Sequence, residues 1–286
     1  MAHMPMFTEQ SFPVGPHALN AAIGPDHGPL VVLLHGVVRR WQDFAPVLTS
    51  LAGRNRVIAV DHRGHGGSAR ADRYLVADYI ADAAALVGSL EAPAVVIGHS
   101  LGALVALGVA AAVPGKVRAI VLEDPPSANF LARIDDTPYA AQWRAMQSLC
   151  GRSRTMRDVA LALAEVRLPG GLRMGDLRDA ASLRFLARCL RDLDAAVLTP
   201  VLEKRWLDGF DPVVAAAQVR CPALVLVGDV AVGGMLPPDD AAALEGALAD
   251  PVRVNLPAVG HQIHALCPEL YLRTTSNFLE SLETLP

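Results

Sequence analysis

The sequence predicts an α/β fold: a mostly parallel β-sheet with helices on both faces and an inserted helical cap. Three observations carry this expectation. Short apolar runs alternate with longer segments of helical spacing, the pattern of β-α-β units. The runs are apolar at nearly every position rather than at every second one, as strands buried on both faces must be. Between Asp124 and Cys221 the alternation stops and helical periodicity alone remains.

In chain order, PLVVLLHG (29–36) is the first such strand, followed by a helix over Trp41–Leu51. RVIAVD (56–61) leads to a helix over Val76–Leu90, and APAVVIGHS (92–100) to one over Leu101–Val113. VRAIVLED (117–124) closes this half, and the arginine-rich insertion follows, with runs such as DLRDAASLRFLARCLRDLDAAVL (176–198). PALVLVGD (222–229) resumes the sheet, with a helix from Asp239, a strand near Val252–Leu256 and a last helix from about Pro268. Asp239 or Asp240 is expected to cap the helix it opens. These breaks divide the chain into a core, 1–125 and 219–286, and a cap, 126–218. In such sheets ligands bind beyond the carboxyl ends of the strands, where the polar residues fall here.

With 286 residues, 52% of them hydrophobic and 19% charged, the chain can bury one large core plus an insertion. A net charge of −4 and a pI of about 6.1 favour neither nucleic acid nor an anionic membrane as partner. The longest uncharged apolar run, Leu101 to Val113, is shorter than the roughly 18 residues a bilayer span needs. MAHMPMFTEQ lacks the basic-then-apolar order of a signal peptide, and MAHM reads as an expression scar. Cys150, Cys189, Cys221 and Cys267 are scattered without CxxC pairing, so a reduced, cytoplasmic chain is expected. The oligomeric state is open between monomer and homodimer.

Gly98-His99-Ser100-Leu101-Gly102 matches G-x-S-x-G between an expected strand and an expected helix. The flanking glycines permit a sharp turn that lifts Ser100 above the sheet as a nucleophile. A serine needs a base to take its proton. His261, after the last strand and preceded by Gly260, is the candidate, while His264 reads as a loop or helix-face residue. The N–H groups of Leu101 and Val37 are the expected oxyanion donors. Gly64 to Ala69 fits G-x-G-x-x-A but does not run directly from strand to helix, so no dinucleotide is expected. His62 and His65 lack a third ligand of matching spacing, so no metal is expected there.

His35-Gly36, Asp61-His62-Arg63-Gly64-His65-Gly66-Gly67-Ser68, the GHSLG at 98–102 and Gly260-His261 occur in the order found in α/β-hydrolases, and the chain resembles that family. The resemblance covers nearly everything outside the cap. It implies the order nucleophile, acid, histidine, hydrolysis through an acyl-enzyme, and no cofactor. It also implies an acid about three residues beyond Gly228, where this chain has Ala231. Some ester and lactone hydrolases of the family take the acid from the strand before the cap, which here ends VLEDPPS. Asp124, stiffened by Pro125-Pro126, is therefore the expected orienting acid, with Asp229 and Glu123 as fallbacks.

Arg39, Trp41 and Trp143 are candidates for contact with substrate. The competing reading of Arg39-Arg40 is a solvent-facing pair beside a core Trp41 and Phe44. Phe130, Tyr139, Trp143, Leu149, Phe185 and Trp206 suggest a mid-sized, partly apolar acyl or ring substrate. The cap arginines read mostly as solvated faces paired with acids, with one or two able to bind a substrate carboxylate. The expected function is a serine hydrolase of a carboxylic ester or lactone. Its rivals are a C–C bond hydrolase acting on a β-diketone or ring-fission product, and a receptor-like protein that binds without turnover.

Overall fold

A computed structural model describes residues 7–168 and 171–282, and MAHM lies outside them. Eight strands form one sheet: Thr8–Val14 (β1), His17–Ile23 (β2), Leu30–Leu34 (β3), Arg56–Val60 (β4), Ala94–His99 (β5), Val117–Glu123 (β6), Ala223–Gly228 (β7) and Pro251–Leu256 (β8). Their spatial order is β1-β2-β4-β3-β5-β6-β7-β8. Every pairing from β4 across to β8 is parallel. The antiparallel β1 and β2 extend the β4 edge.

The sequence reading omits β1 and β2, and their composition explains the omission. TEQSFPV is exposed over most of its length, so no continuous apolar run marks it. The two strands turn at Gly15, whose φ of 57° suits a tight turn.

In chain order the helices are Ala45–Ala52 (α1), Val76–Ser89 (α2), Leu101–Ala112 (α3), Ala128–Ala132 (α4), Pro138–Leu149 (α5), Met156–Ala164 (α6), Met174–Leu177 (α7), Ala180–Asp192 (α8), Thr199–Leu202 (α9), Pro212–Ala216 (α10), Pro238–Ala247 (α11), Ile263–Leu266 (α12) and Pro268–Ser281 (α13). The segment expected to be helical from Trp41 begins as a 3₁₀ turn, Trp41–Phe44, before α1. Neither Asp239 nor Asp240 caps α11: Pro237 stands at the cap and Pro238 opens the helix. Both acids lie in its first turn, where the helix dipole favours them. Asp240 also accepts from Asn129 Nδ2 at 2.6 Å and from the Ser127 hydroxyl, tying α11 to the start of α4.

The pleat sorts the core into two layers. Val31 and Leu33 of β3 pack with α1 and α13, through Val47, Leu51 and Phe278. Val32 and Leu34 face the other way, toward Leu86 of α2 and Leu104 and Leu107 of α3. Helices therefore cover both faces, as fully buried strands require. Between β6 and β7 the chain forms α4–α10 and, among the described residues, only one isolated bridge, Arg167 to Arg173. This helical insertion packs on the layer that contains α3. Among the described residues no helix is long and apolar enough to cross a membrane. Since β3, β5, β6, β7 and β8 run parallel, their carboxyl ends share one edge of the sheet.

Candidate active site

At the tip of β5 the chain turns directly into α3. Ser100 makes that turn with φ 56° and ψ −116°, a left-handed conformation a serine rarely adopts. The neighbouring glycines are there for room. A Cβ on Gly98 would lie 2.0 Å from the Gly102 oxygen, and one on Gly102 would lie 1.9 Å from the Leu34 oxygen. Strand, turn and helix thus touch backbone to backbone. The Ser100 amide is pinned to the Glu123 carbonyl at 2.9 Å, which fixes the turn against β6.

Asp124 follows β6, is fully buried and holds a φ of 43°. Its Oδ2 lies 2.6 Å from His261 Nδ1 and accepts the Met235 amide at 2.8 Å. Its Oδ1 accepts the Gly228 amide at 3.0 Å. Two backbone donors from the β7 end therefore aim the carboxylate at the imidazole, which leaves Nε2 as the proton-accepting nitrogen. Asp229 is turned elsewhere: it accepts the Ala231 and Ala258 amides, both at 2.9 Å. Those two donors lower its pKa and give it a loop-capping role.

Glu123 takes a different histidine. Its carboxylate accepts the His264 backbone N–H at 2.9 Å and lies 2.8 Å from His264 Nδ1. Reading His264 as a loop or helix-face residue is therefore corrected: it is fully buried, with Asp43 Oδ2 3.5 Å from its Nε2. Burial opposes its charge, but Glu123 and Asp43 outweigh burial and push its pKa up to about 10. His99, also buried, meets the His261 carbonyl through Nε2 at 3.1 Å. The loop carrying His261 is thus fastened from below at two points. Sequence reasoning missed Asp43, which stands in no motif, and gave no role to His99, the variable position between Gly98 and Ser100.

The loop after β3 carries the expected oxyanion donor. Among the described residues neither the Val37 nor the Leu101 amide has an acceptor, whereas the Val38 amide is taken by His65 Nε2 at 3.3 Å. His65 Nδ1 donates to the Arg63 carbonyl at 2.9 Å. His35 donates from Nδ1 to the Gly36 carbonyl at 2.8 Å and accepts the His62 amide on Nε2 at 3.1 Å. His62 Nε2 in turn donates to the His35 carbonyl at 3.1 Å. Each ring is used as a neutral tautomer, and burial lowers all three pKa values, to about 3 for His35 and about 4 for His65.

Ser100 and His261 line one cavity of about 910 Å³ between the strand ends and the helical insertion. Phe130, Tyr139 and Trp143 of the insertion also line it, whereas Leu149, Phe185 and Trp206 do not. Trp41 is outside the lining too, stacked on Phe7 with ring centroids 6.1 Å apart. The solvent-facing reading of the arginine pair is corrected. Arg40 is buried and meets Asp192 at 3.2 Å, and Arg39 lines the cavity with Asp43 3.7 Å away. Ala231 stands in the wall rather than supplying an acid. The Tyr139 hydroxyl donates to the Gly233 carbonyl at 2.6 Å and so ties the insertion to the loop after β7.

These features agree with what comparison with known proteins finds. Residues 31–274 match the model described as "Alpha/beta hydrolase family". A 2-(acetamidomethylene)succinate hydrolase of Mesorhizobium japonicum is 29% identical over 277 residues, covering 89% of this chain and 89% of its own. A crystal structure of E-2-(acetamidomethylene)succinate hydrolase superposes with a TM-score of 0.77 at 25% identity, covering 96% of this chain and all of that one. A pimeloyl-[acyl-carrier protein] methyl ester esterase of Chromobacterium violaceum is 39% identical over 147 residues, half of this chain and 56% of its own. The chain belongs to the α/β-hydrolase family.

Proposed function

We propose that this hydrolase cleaves a carboxylic ester or lactone by passing its acyl group through Ser100 to water. His261 Nε2 takes the Ser100 proton as Oγ attacks the carbonyl carbon. The Val37 and Leu101 N–H groups donate to the oxyanion that forms, and Asp124 stabilises the imidazolium. Collapse expels the alcohol, protonated by His261, or opens the lactone ring. Water, deprotonated by His261, then releases the acid and restores Ser100.

One observation carries the reading: His261 Nδ1 lies 2.6 Å from Asp124 Oδ2, beside the cavity that Ser100 lines. The partial match to a methyl ester esterase supports the ester, and the open Val37 and Leu101 amides support an oxyanion. A second reading, cleavage of an amide by the same steps, is favoured by the relative that covers 89% of this chain, whose substrate name carries an acetamido group.

Fluorophosphonate labelling with intact-mass analysis tests the nucleophile. One adduct is expected on the protein and none on Ser100→Ala, and an unlabelled wild-type protein sinks the proposal. A panel of p-nitrophenyl esters, lactones, anilides and β-diketones then separates ester, amide and carbon–carbon cleavage.

A further inference from the structure

Four arginines of the insertion meet carboxylates, Arg205 with Asp208 at 3.1 Å among them. Arg144 meets Asp135 at 2.7 Å, Arg152 meets Asp192 at 2.8 Å, and Arg173 meets Asp176 at 2.9 Å. Arg178, at the end of α7, is set apart from the other arginines of the insertion by its place in the cavity wall. Its side chain lines the cavity that Ser100 and His261 line, and among the described residues its guanidinium has neither a hydrogen bond nor an ion pair. Asp136 and Asp179 share the lining but form no ion pair with it.

A like charge makes the arrangement costlier still. Arg39 lines the same cavity from the loop after β3; burial, and then the Arg39 charge, bring the Arg178 pKa down to about 10. Arg178 stays protonated near neutrality even so. Asp43, a carboxylate whose charge acts on Arg178, is engaged by Arg39 at 3.7 Å and by His264 at 3.5 Å. A half-buried guanidinium without a protein partner and beside a second cation is a poor arrangement unless an anion completes it. The planar fork matches a carboxylate, whose single charge balances the one unpartnered guanidinium. Trp143, Met146, Leu168 and Met174 supply apolar wall between the polar ends of the cavity.

We propose that Arg178, with Arg39 beside it, forms a carboxylate subsite, so that the substrate bears a free carboxylate remote from the carbonyl that Ser100 attacks. This rests on the acyl-transfer reading for the second half only. The subsite itself is a binding claim and is tested without turnover.

The test is calorimetric titration of Ser100→Ala with the monomethyl esters of malonate, succinate, glutarate and adipate, beside their dimethyl esters. At least one monoester is expected to bind tenfold or more tightly than its uncharged diester. Adding Arg178→Met should erase that preference tenfold or more, and Arg178→Lys should restore part of it. A monoester preference missing across the series, or unchanged in Arg178→Met, overturns the subsite. Should Arg178→Met not fold, Arg39→Met in the Ser100→Ala protein is read the same way. A lost preference with normal fluorophosphonate labelling removes only the subsite. A kept preference without labelling removes only the hydrolase mechanism.

Discussion

At Asp124 the carboxylate is held by the Gly228 and Met235 amides and by His261, so exchanging one oxygen for nitrogen perturbs all three contacts. Asp124→Asn should lower kcat by about 10⁴-fold in steady-state assays, the order seen when the acid of a Ser-His-Asp triad loses its charge. Asp229→Asn, which alters a capping carboxylate, should keep kcat near wild type and shift the urea midpoint only slightly downward. A dead Asp229→Asn beside an active Asp124→Asn would overturn the mechanism. Glu123→Gln is a different experiment, because it strips a buried, charged His264 of its main partner. A loss of about 3–5 kcal/mol is expected in the same unfolding assay. The sequence VLEDPPS showed two adjacent acids at a strand tip, and pleat alternation showed that they must face different ways. It could not show that a second histidine waits on the other side, since His264 lies three residues past His261 on the short helix α12, which has no period long enough to read.

The turn from β5 to α3 works as one element, and its tolerance for bulk is nil. Gly102→Ala would push a methyl group into the Leu34 carbonyl, so poor folding or a several-kcal/mol loss in thermal unfolding is expected. The two loops below it set the pH response. His35, His62, His65 and His99 are buried neutral, with pKa values below the ordinary 6.5. The unfolded chain therefore binds their protons first, and stability should fall as pH drops below about 6.5. His264 has the opposite sign: its pKa is raised to about 10, so its contribution is full below 6.5 and is lost as pH climbs toward 10. Denaturant midpoints across pH 5 to 8 should peak near 6.5 and fall more steeply on the acid side, where four histidines act against one. His264→Gln should flatten the pH 6.5–8 limb. The motif GHSLG and the strand–helix alternation made this element readable. Strands β1 and β2 were not, because β1 is mostly exposed and β2 mixes polar and small residues without a continuous buried run.

Across the molecule, the helical insertion and the sheet domain meet over the cavity, and one bond from Tyr139 to the Gly233 carbonyl joins them directly at its wall. Tyr139→Phe should leave global stability within about 1 kcal/mol, yet speed hydrogen exchange in residues 229–234. The insertion itself was legible as a long helical break in the strand rhythm. Its inward-facing residues were not, because a cavity lining gathered from α4, α5, α7, α8 and the loops between them has no single period to read. Arg178 looks like any other cap arginine in the chain and differs only in what surrounds it.

With the acid proposed at the end of β6, residues 230–233 carry none of the groups assigned to the chemistry, although they form part of the cavity wall. Val230, Ala231 and Val232 are therefore free to vary, while Gly233 is kept by its φ of 107°. A saturation library over Val230, Ala231 and Val232 should yield many active clones with shifted substrate preference, where the same library at an acid-bearing loop would yield mostly dead ones. Selection acting on this family member could retune what it accepts at this loop while leaving the chemistry alone.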